Sequence, residues 1–199
     1  MRMTSYLSLF ASVVFLSGLT ACGVPDAPPA PPLPSAAKTY KLSTADAVFL
    51  QQMDALNQKE IKIASLAETH SNSDVVKAFA HTVVGDYTNG QKAVSKILSD
   101  GNLTQSSKLT AADEKHINSF KSLYKNSFDR LFLLDVIEVN TPSLQKTLQT
   151  EAKSGGSPSI KALASDTLKM LQDHSDRAEN ISGSHIVRTR HRRHMNRYY

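Results

Sequence analysis

The chain has 199 residues, 40% of them hydrophobic and 21% charged, with a formal net charge of +5 and a single cysteine. That composition suits one small globular domain, and one cysteine excludes an internal disulfide. Six of the eight prolines fall between Pro25 and Pro34, so the globular part is expected to begin after them.

The first residues follow the order of an export signal. Arg2 gives a short positive start, and a mostly apolar run follows from Tyr6 through Leu19. The run is too short and too weakly flanked for a membrane span. Leu19-Thr20-Ala21-Cys22 looks like a lipobox, the site where bacterial lipoproteins are cleaved before a cysteine that is then diacylated. Residues 1–21 are therefore expected to be a signal peptide, with Cys22 as the lipidation site. A single acyl chain holds a protein to a membrane only marginally, at about 0.8 kcal/mol per buried methylene, whereas two or three hold it stably. Gly23, where some lipoproteins have Asp, resembles the enterobacterial pattern for the outer membrane.

Residues 22–37 then read as a spacer. Proline fixes φ and has no N–H to donate, so this stretch cannot be helix interior or central strand. Polyproline II geometry, at about 3.1 Å per residue, makes it a semi-rigid stalk of up to about 45 Å.

Residues 38–182 are expected to form the helical domain. Ser43 with Asp46 three residues on predicts a capping box. Beyond it Phe49, Met53, Leu56, Glu60, Ile63 and Ala67 follow the four-three rhythm of a bundle seam. A second helix starts at Ser73, with Val76, Ala80, Val83, Tyr87, Gly90, Val94 and Ile97 on its seam, and Asp100-Gly101-Asn102 ends it. A short helix from about Ala111 carries Ile117, Phe120, Leu123 and Tyr124.

Ser127 is the predicted N-cap of a third long segment bearing Phe128, Leu131, Phe132, Leu134, Val139 and Leu148, which Pro142 should kink or split. Ser154 to Pro158 is a turn, with Pro158 in the first turn of the last helix. There Ile160, Ala164, Thr167, Leu171, His174, Ala178 and Ile181 repeat the rhythm. No stretch keeps a period of two long enough to require a sheet. The expected fold is all-α: an antiparallel four-helix bundle with a short extra helix and disordered termini.

Several phrases resemble an exported bacterial family known as domain of unknown function 4142, a ferritin-like bundle. They are Ala47 to Leu50 followed by Glu60; Asp74 to Ala80 with Val83-Val84 and Asp86; Phe128-Asp129-Arg130; Glu151 to Gly155 with Pro158; and Ile160 to Ala164 with Thr167-Leu168, Leu171 and His174. The resemblance covers about Thr44 to Ile181. In that family a histidine usually follows the aspartate of the second helix, where this chain has Tyr87. Another is usual in the third, where it has Asn140 or Thr141. Of the family's polar set Glu60 and His174 remain.

Glu60, Tyr87 and His174 fall on bundle seams, with Asp86 alongside. Buried polar groups are costly unless paired, so these four are expected to share hydrogen bonds or hold a ligand. A di-iron carboxylate site needs Glu-x-x-His motifs, and the chain has none; Asp113-x-x-His116 is the nearest approach. No phosphate loop, nucleophile elbow or cysteine–histidine pair is present. No cofactor is expected, and a bound transition metal at Glu60, Asp86 and His174, in a metal-binding or redox protein, is the alternative. His70 and His81 are expected at the surface or at helix ends.

Residues 183–199 hold the basic charge. Arg188, Arg190, Arg192, Arg193 and Arg197 lie there with His185, His191 and His194; without these arginines and Arg2 the chain is about −1. Like-charge repulsion predicts a tail disordered when free, suited to lipid headgroups or other anionic envelope polymers. The three histidines would add charge on acidification. Nucleic acid is excluded as a partner by the expected location. The chain thus reads as an envelope lipoprotein, facing the periplasm from the outer membrane, with a non-enzymatic domain that binds or senses.

Overall fold

The computed structural model describes residues 41–103 and 108–195, with side chains described as far as residue 183. Seven helices and no strand occur among them: α1 (Thr44–Ser65), α2 (Ala67–His70), α3 (Asp74–Asp100), α4 (Ala111–Lys121), α5 (Asn126–Val139), α6 (Pro142–Ser154) and α7 (Pro158–Met195). The all-α expectation holds. No described helix is long and apolar enough to cross a membrane.

Helix ends follow local side-chain chemistry. Ser43 caps α1 by accepting from Asp46 N–H at 3.1 Å, and Asp46 Oδ2 accepts from Ser43 N–H at 3.0 Å, the predicted capping box. The same carboxylate also acts over a long range. Its Oδ1 accepts from Gly156 N–H at 2.9 Å, tying the start of α1 to the turn before α7. A Cβ at Gly156 would collide with the Asp46 carboxylate, so this close approach requires glycine. Burial pushes the Asp46 pKa up, but the bonds from Gly156 and Ser43 outweigh it and leave the carboxyl below its ordinary value. Thr110 and Asp113 repeat the capping box at α4.

Pro142 splits the third segment as expected. It occupies the first turn of α6, behind a Thr141 N-cap, where a missing N–H costs nothing. Ser127 is not a cap, however. Helix α5 begins one residue earlier, behind Lys125 at φ 54°, whose N–H donates to the His70 carbonyl. This long-range bond fixes the chain entry, a constraint that local patterning does not reveal.

The packing forms four columns: α1, α3, α5 with α6, and α7. Asp54 of α1 meets Gln91 and Glu68 of α2 meets His81, so α1 and its continuation α2 run antiparallel to α3. Asp86 meets His174 and Phe79 meets Arg177, so α3 and α7 do too. Helices α5 and α6 pack on α7, and α4 lies against α1 and α5.

Phe49, Leu50, Val76, Phe79, Phe128, Phe132, Leu148, Ile160 and Leu171 fill the core. Each such side chain contributes about 1.5–3 kcal/mol on burial. Five ring contacts cross the bundle in series: Phe120–Phe128 (6.2 Å between centroids), Phe128–Phe132 (5.7 Å), Phe132–Phe79 (6.1 Å), Phe79–His174 (6.0 Å) and His174–Tyr87 (5.8 Å). The seam of α5 differs from expectation. Leu134 is exposed, while Leu133, Asp129 and Asp135 are buried, because the face that packs is 128, 129, 132, 133, 135, 136.

The last helix also departs from expectation. It does not end near Ser182 but continues to Met195, so the backbone of most of the tail expected to be disordered is helical. The only strong breaker on the way is Gly183, and arginine is among the better helix formers. The signal peptide, Cys22, the spacer and Arg197 lie outside the described residues.

Candidate functional site

Of the four expected polar residues Glu60, Tyr87 and His174 are buried and Asp86 is partly exposed, and they fall into two groups. In the first, His174 of α7 is buried and its Nε2 lies 2.9 Å from Asp86 Oδ2 on α3. Asp86 is acceptor-only as a carboxylate, so this geometry places the imidazole proton on Nε2. His174 Nδ1 is buried and meets no hydrogen-bond partner among the described residues. The ring packs edge-on against Phe79 and tilts toward Tyr87, the residue that follows Asp86 on α3.

The second group centres on Glu60, 1% exposed on α1. Lys59 Nζ approaches its Oε1 at 3.2 Å, yet that oxygen receives no aligned hydrogen bond. Asp135 of α5 is buried as well, its Oδ1 bonded to His116 Nε2 at 2.7 Å and its Oδ2 without a partner among the described residues. Burial, then the Asp135 charge, push the Glu60 pKa up to about 8 against the pull of Lys59. Tyr87 is driven well above its ordinary value by burial first and by Glu60, Asp135 and Asp86 after it. The phenol therefore stays neutral in the physiological range.

Asp135 and His116 are polar interior residues that seam spacing does not single out. His116 is visible in the sequence only beside Asp113, and Asp113 is spent on capping α4 through Thr110. Asp135 lies three residues past Phe132, and its polarity hides its buried position. Asp54 and Asn57 escape the pattern likewise. Both are buried on α1; Asp54 Oδ1 accepts from Gln91 Nε2 at 3.1 Å and its Oδ2 from Gln58 Nε2 at 2.8 Å. Gly90 stands against Asn57, where a Cβ would sit 3.2 Å from the amide. His70, at the end of α2, stacks on the exposed Tyr124 at 4.5 Å, and the exposed His81 pairs with Glu68, both as expected.

Two of the interior groups are committed as pairs, His174 with Asp86 and His116 with Asp135. Among the described residues no three or more His, Cys, Asp or Glu side chains stand where they could hold a metal ion. Glu60, Asp86 and His174 do not converge: His174 turns its Nε2 to Asp86, and the charge felt most strongly by Glu60 is that of Asp135.

The surface opening beside the first group is a groove of about 640 Å³ between α3 and α7. Ala93, Ile97, Ala162, Leu163 and Met170 make its apolar part, and the Asp86–His174 pair forms part of one wall.

A family profile described as "Domain of unknown function (DUF4142)" matches residues 31–181, a wider span than the Thr44 to Ile181 read from the motifs. No curated protein matches the chain. Among solved structures, the crystal structure of a DUF305 fragment from Deinococcus radiodurans superposes with a TM-score of 0.64 at 12% identity. The match covers 72% of this chain and 98% of that one. At that identity the likeness is one of fold.

Proposed function

The chain belongs to the DUF4142 family, a domain of unknown function, and from that premise we propose that it is an envelope lipoprotein whose helical domain binds without catalysing. Its anchor is Cys22, its spacer the proline-rich stretch, and its contact with the envelope the basic C-terminal segment. The observation that carries this reading is the course of α7. The helix packs on the core as far as Ile181 and continues as helix to Met195, through Arg188, Arg190, Arg192 and Arg193. A helix with four arginines in six residues, on a body of net charge about −1, suits an anionic membrane surface. Each arginine or lysine near such a surface contributes about 1 kcal/mol, screened by salt. The interior supports the non-enzymatic part. Asp86 pairs with His174 and Asp135 with His116, so each imidazole is turned to a carboxylate on a neighbouring helix.

Cell fractionation of the full chain tests this. The parent should remain with membranes in high salt. Cys22→Ser should be retained in low salt and released in high salt, and Cys22→Ser lacking residues 183–199 should be released in both. Retention of Cys22→Ser that is unchanged by removing residues 183–199 would contradict the tail's role. High-salt retention of Cys22→Ser equal to the parent's would contradict the anchor.

A further inference from the structure

We infer that the α3–α7 groove is a self-association surface that receives the α7 helix of a second copy of this chain. Four charges share one stripe of α7: Asp166, Lys169, Asp173 and Arg177, spaced three, four and four residues apart. Such spacing keeps them on one face of a helix. All four are exposed and all line the groove. None forms an ion pair or hydrogen bond with another described residue. Other exposed charges do find partners: Lys62–Glu114 and His81–Glu68 away from the groove, and Lys96–Asp100 on its α3 side.

The order of the signs is what identifies the occupant. Reading along α7 gives minus, plus, minus, plus. Two copies related by a twofold axis lay this stripe against itself in reverse, so residue i meets residue j and j meets i. With the axis beside Leu171, Asp166 faces Arg177 and Lys169 faces Asp173 of the second copy, and each pair occurs twice. Four opposite-charge pairs form and no like-charge pair within the stripe does. A parallel arrangement in register would instead oppose every charge to its own kind.

The flanking helix agrees. Asp86 of α3 borders the groove level with His174, and its 43%-exposed side chain adds negative charge where Lys169 of the second copy arrives. Small residues let a helix come close: Ala93 on α3 and Ala162 on α7 leave the groove shallow and apolar. Met170, half-buried beside the axis, is an unbranched side chain that can repack against its own copy. Arg177 is held over the Phe79 ring at 5.2 Å, which presents its guanidinium at the groove end.

Charge reversal on the full chain, carrying Cys22→Ser so that no lipid enters the measurement, tests the pairing. Mass is read by light scattering across a concentration series at low and moderate salt. The expected result is a dimer. Asp173→Lys places two lysine–lysine pairs across the axis and should weaken association at least tenfold, as should Lys169→Asp. The double variant Lys169→Asp/Asp173→Lys restores both pairs and should restore the dimer. All three variants change exposed residues, and circular dichroism confirms that the fold is retained. A parent chain that stays monomeric throughout would overturn the inference. So would a dimer unaffected by the single reversals, or a double variant no better than either single.

Discussion

Glu60→Gln is expected to make the protein more stable above about pH 8 while leaving it nearly unchanged near pH 4. In the folded chain burial and Asp135 push this carboxyl from 4.5 to about 8; in the unfolded chain it returns to its ordinary range. Between those values the folded state holds a proton that the unfolded state has released. Stability is therefore fully present below the unfolded pKa and falls as pH rises through the folded one, levelling off above it. Every tenfold difference in proton affinity between the two states corresponds to about 1.4 kcal/mol. The loss across the window is therefore on the order of a few kcal/mol. Glutamine keeps the shape and neutrality of the protonated acid and removes the slope. Denaturant unfolding at pH 4, 6 and 9 measures it. Parent and variant curves that fall in parallel with pH would show that Glu60 is not the group that titrates.

His174→Ala is the second large effect. The imidazole bridges two parts of the core, meeting Phe79 at 6.0 Å and Tyr87 at 5.8 Å, and it bonds Asp86. Asp86 is partly exposed and can take water in place of the lost bond. The main cost is then the hole left in the ring series, and a buried ring truncated to alanine costs about 3–5 kcal/mol. Allowing for the smaller imidazole, a loss of about 2–4 kcal/mol is expected, or roughly 4–16 °C in Tm at about 2–4 °C per kcal/mol. His174→Phe keeps the ring contacts without the Asp86 bond and should recover most of that loss. An alanine variant as stable as the parent would mean that the ring series contributes little. A phenylalanine variant as weak as alanine would put the stability in the Asp86 bond.

Much of this architecture is legible in the sequence where it depends on neighbours within a turn or two. The Ser43–Asp46 box, the Gly101 stop, the Pro142 break and the apolar rhythm of α3 and α7 are local signals, and the structure follows each. The part that is not legible arises between elements. Lys125 takes a positive φ where its N–H reaches the His70 carbonyl, and nothing within a few residues announces that. The buried carboxylates show the same limit from another side. Glu60 stands out in the sequence only because it interrupts an apolar seam, whereas Asp54 and Asp135, being acidic, look like surface residues. Their burial is set by partners on other helices: Gln91 for Asp54 and His116 for Asp135. Three of the four expected site residues do meet, since His174 contacts both Asp86 and Tyr87. Glu60 belongs to a separate group that includes Asp135.

That separation bears on what the domain is for. A ferritin-like metal or redox protein needs several helices to aim carboxylates and imidazoles at one point. Here the imidazoles of His174 and His116 are turned to carboxylates in pairs, and the ring series gives His174 a packing role. Groups paired in this way fit the packing role proposed for the interior better than a metal centre would. The most direct measurement of that is the metal content of the full chain, with Cys22→Ser, purified without chelator or affinity histidines. Iron, zinc, manganese and copper are quantified per chain, in the parent and in His174→Ala. Paired interior groups predict far less than one metal per chain in both, and no thermal shift when the ions are added. Near-stoichiometric metal in the parent that disappears in His174→Ala would contradict this and make the interior a metal centre.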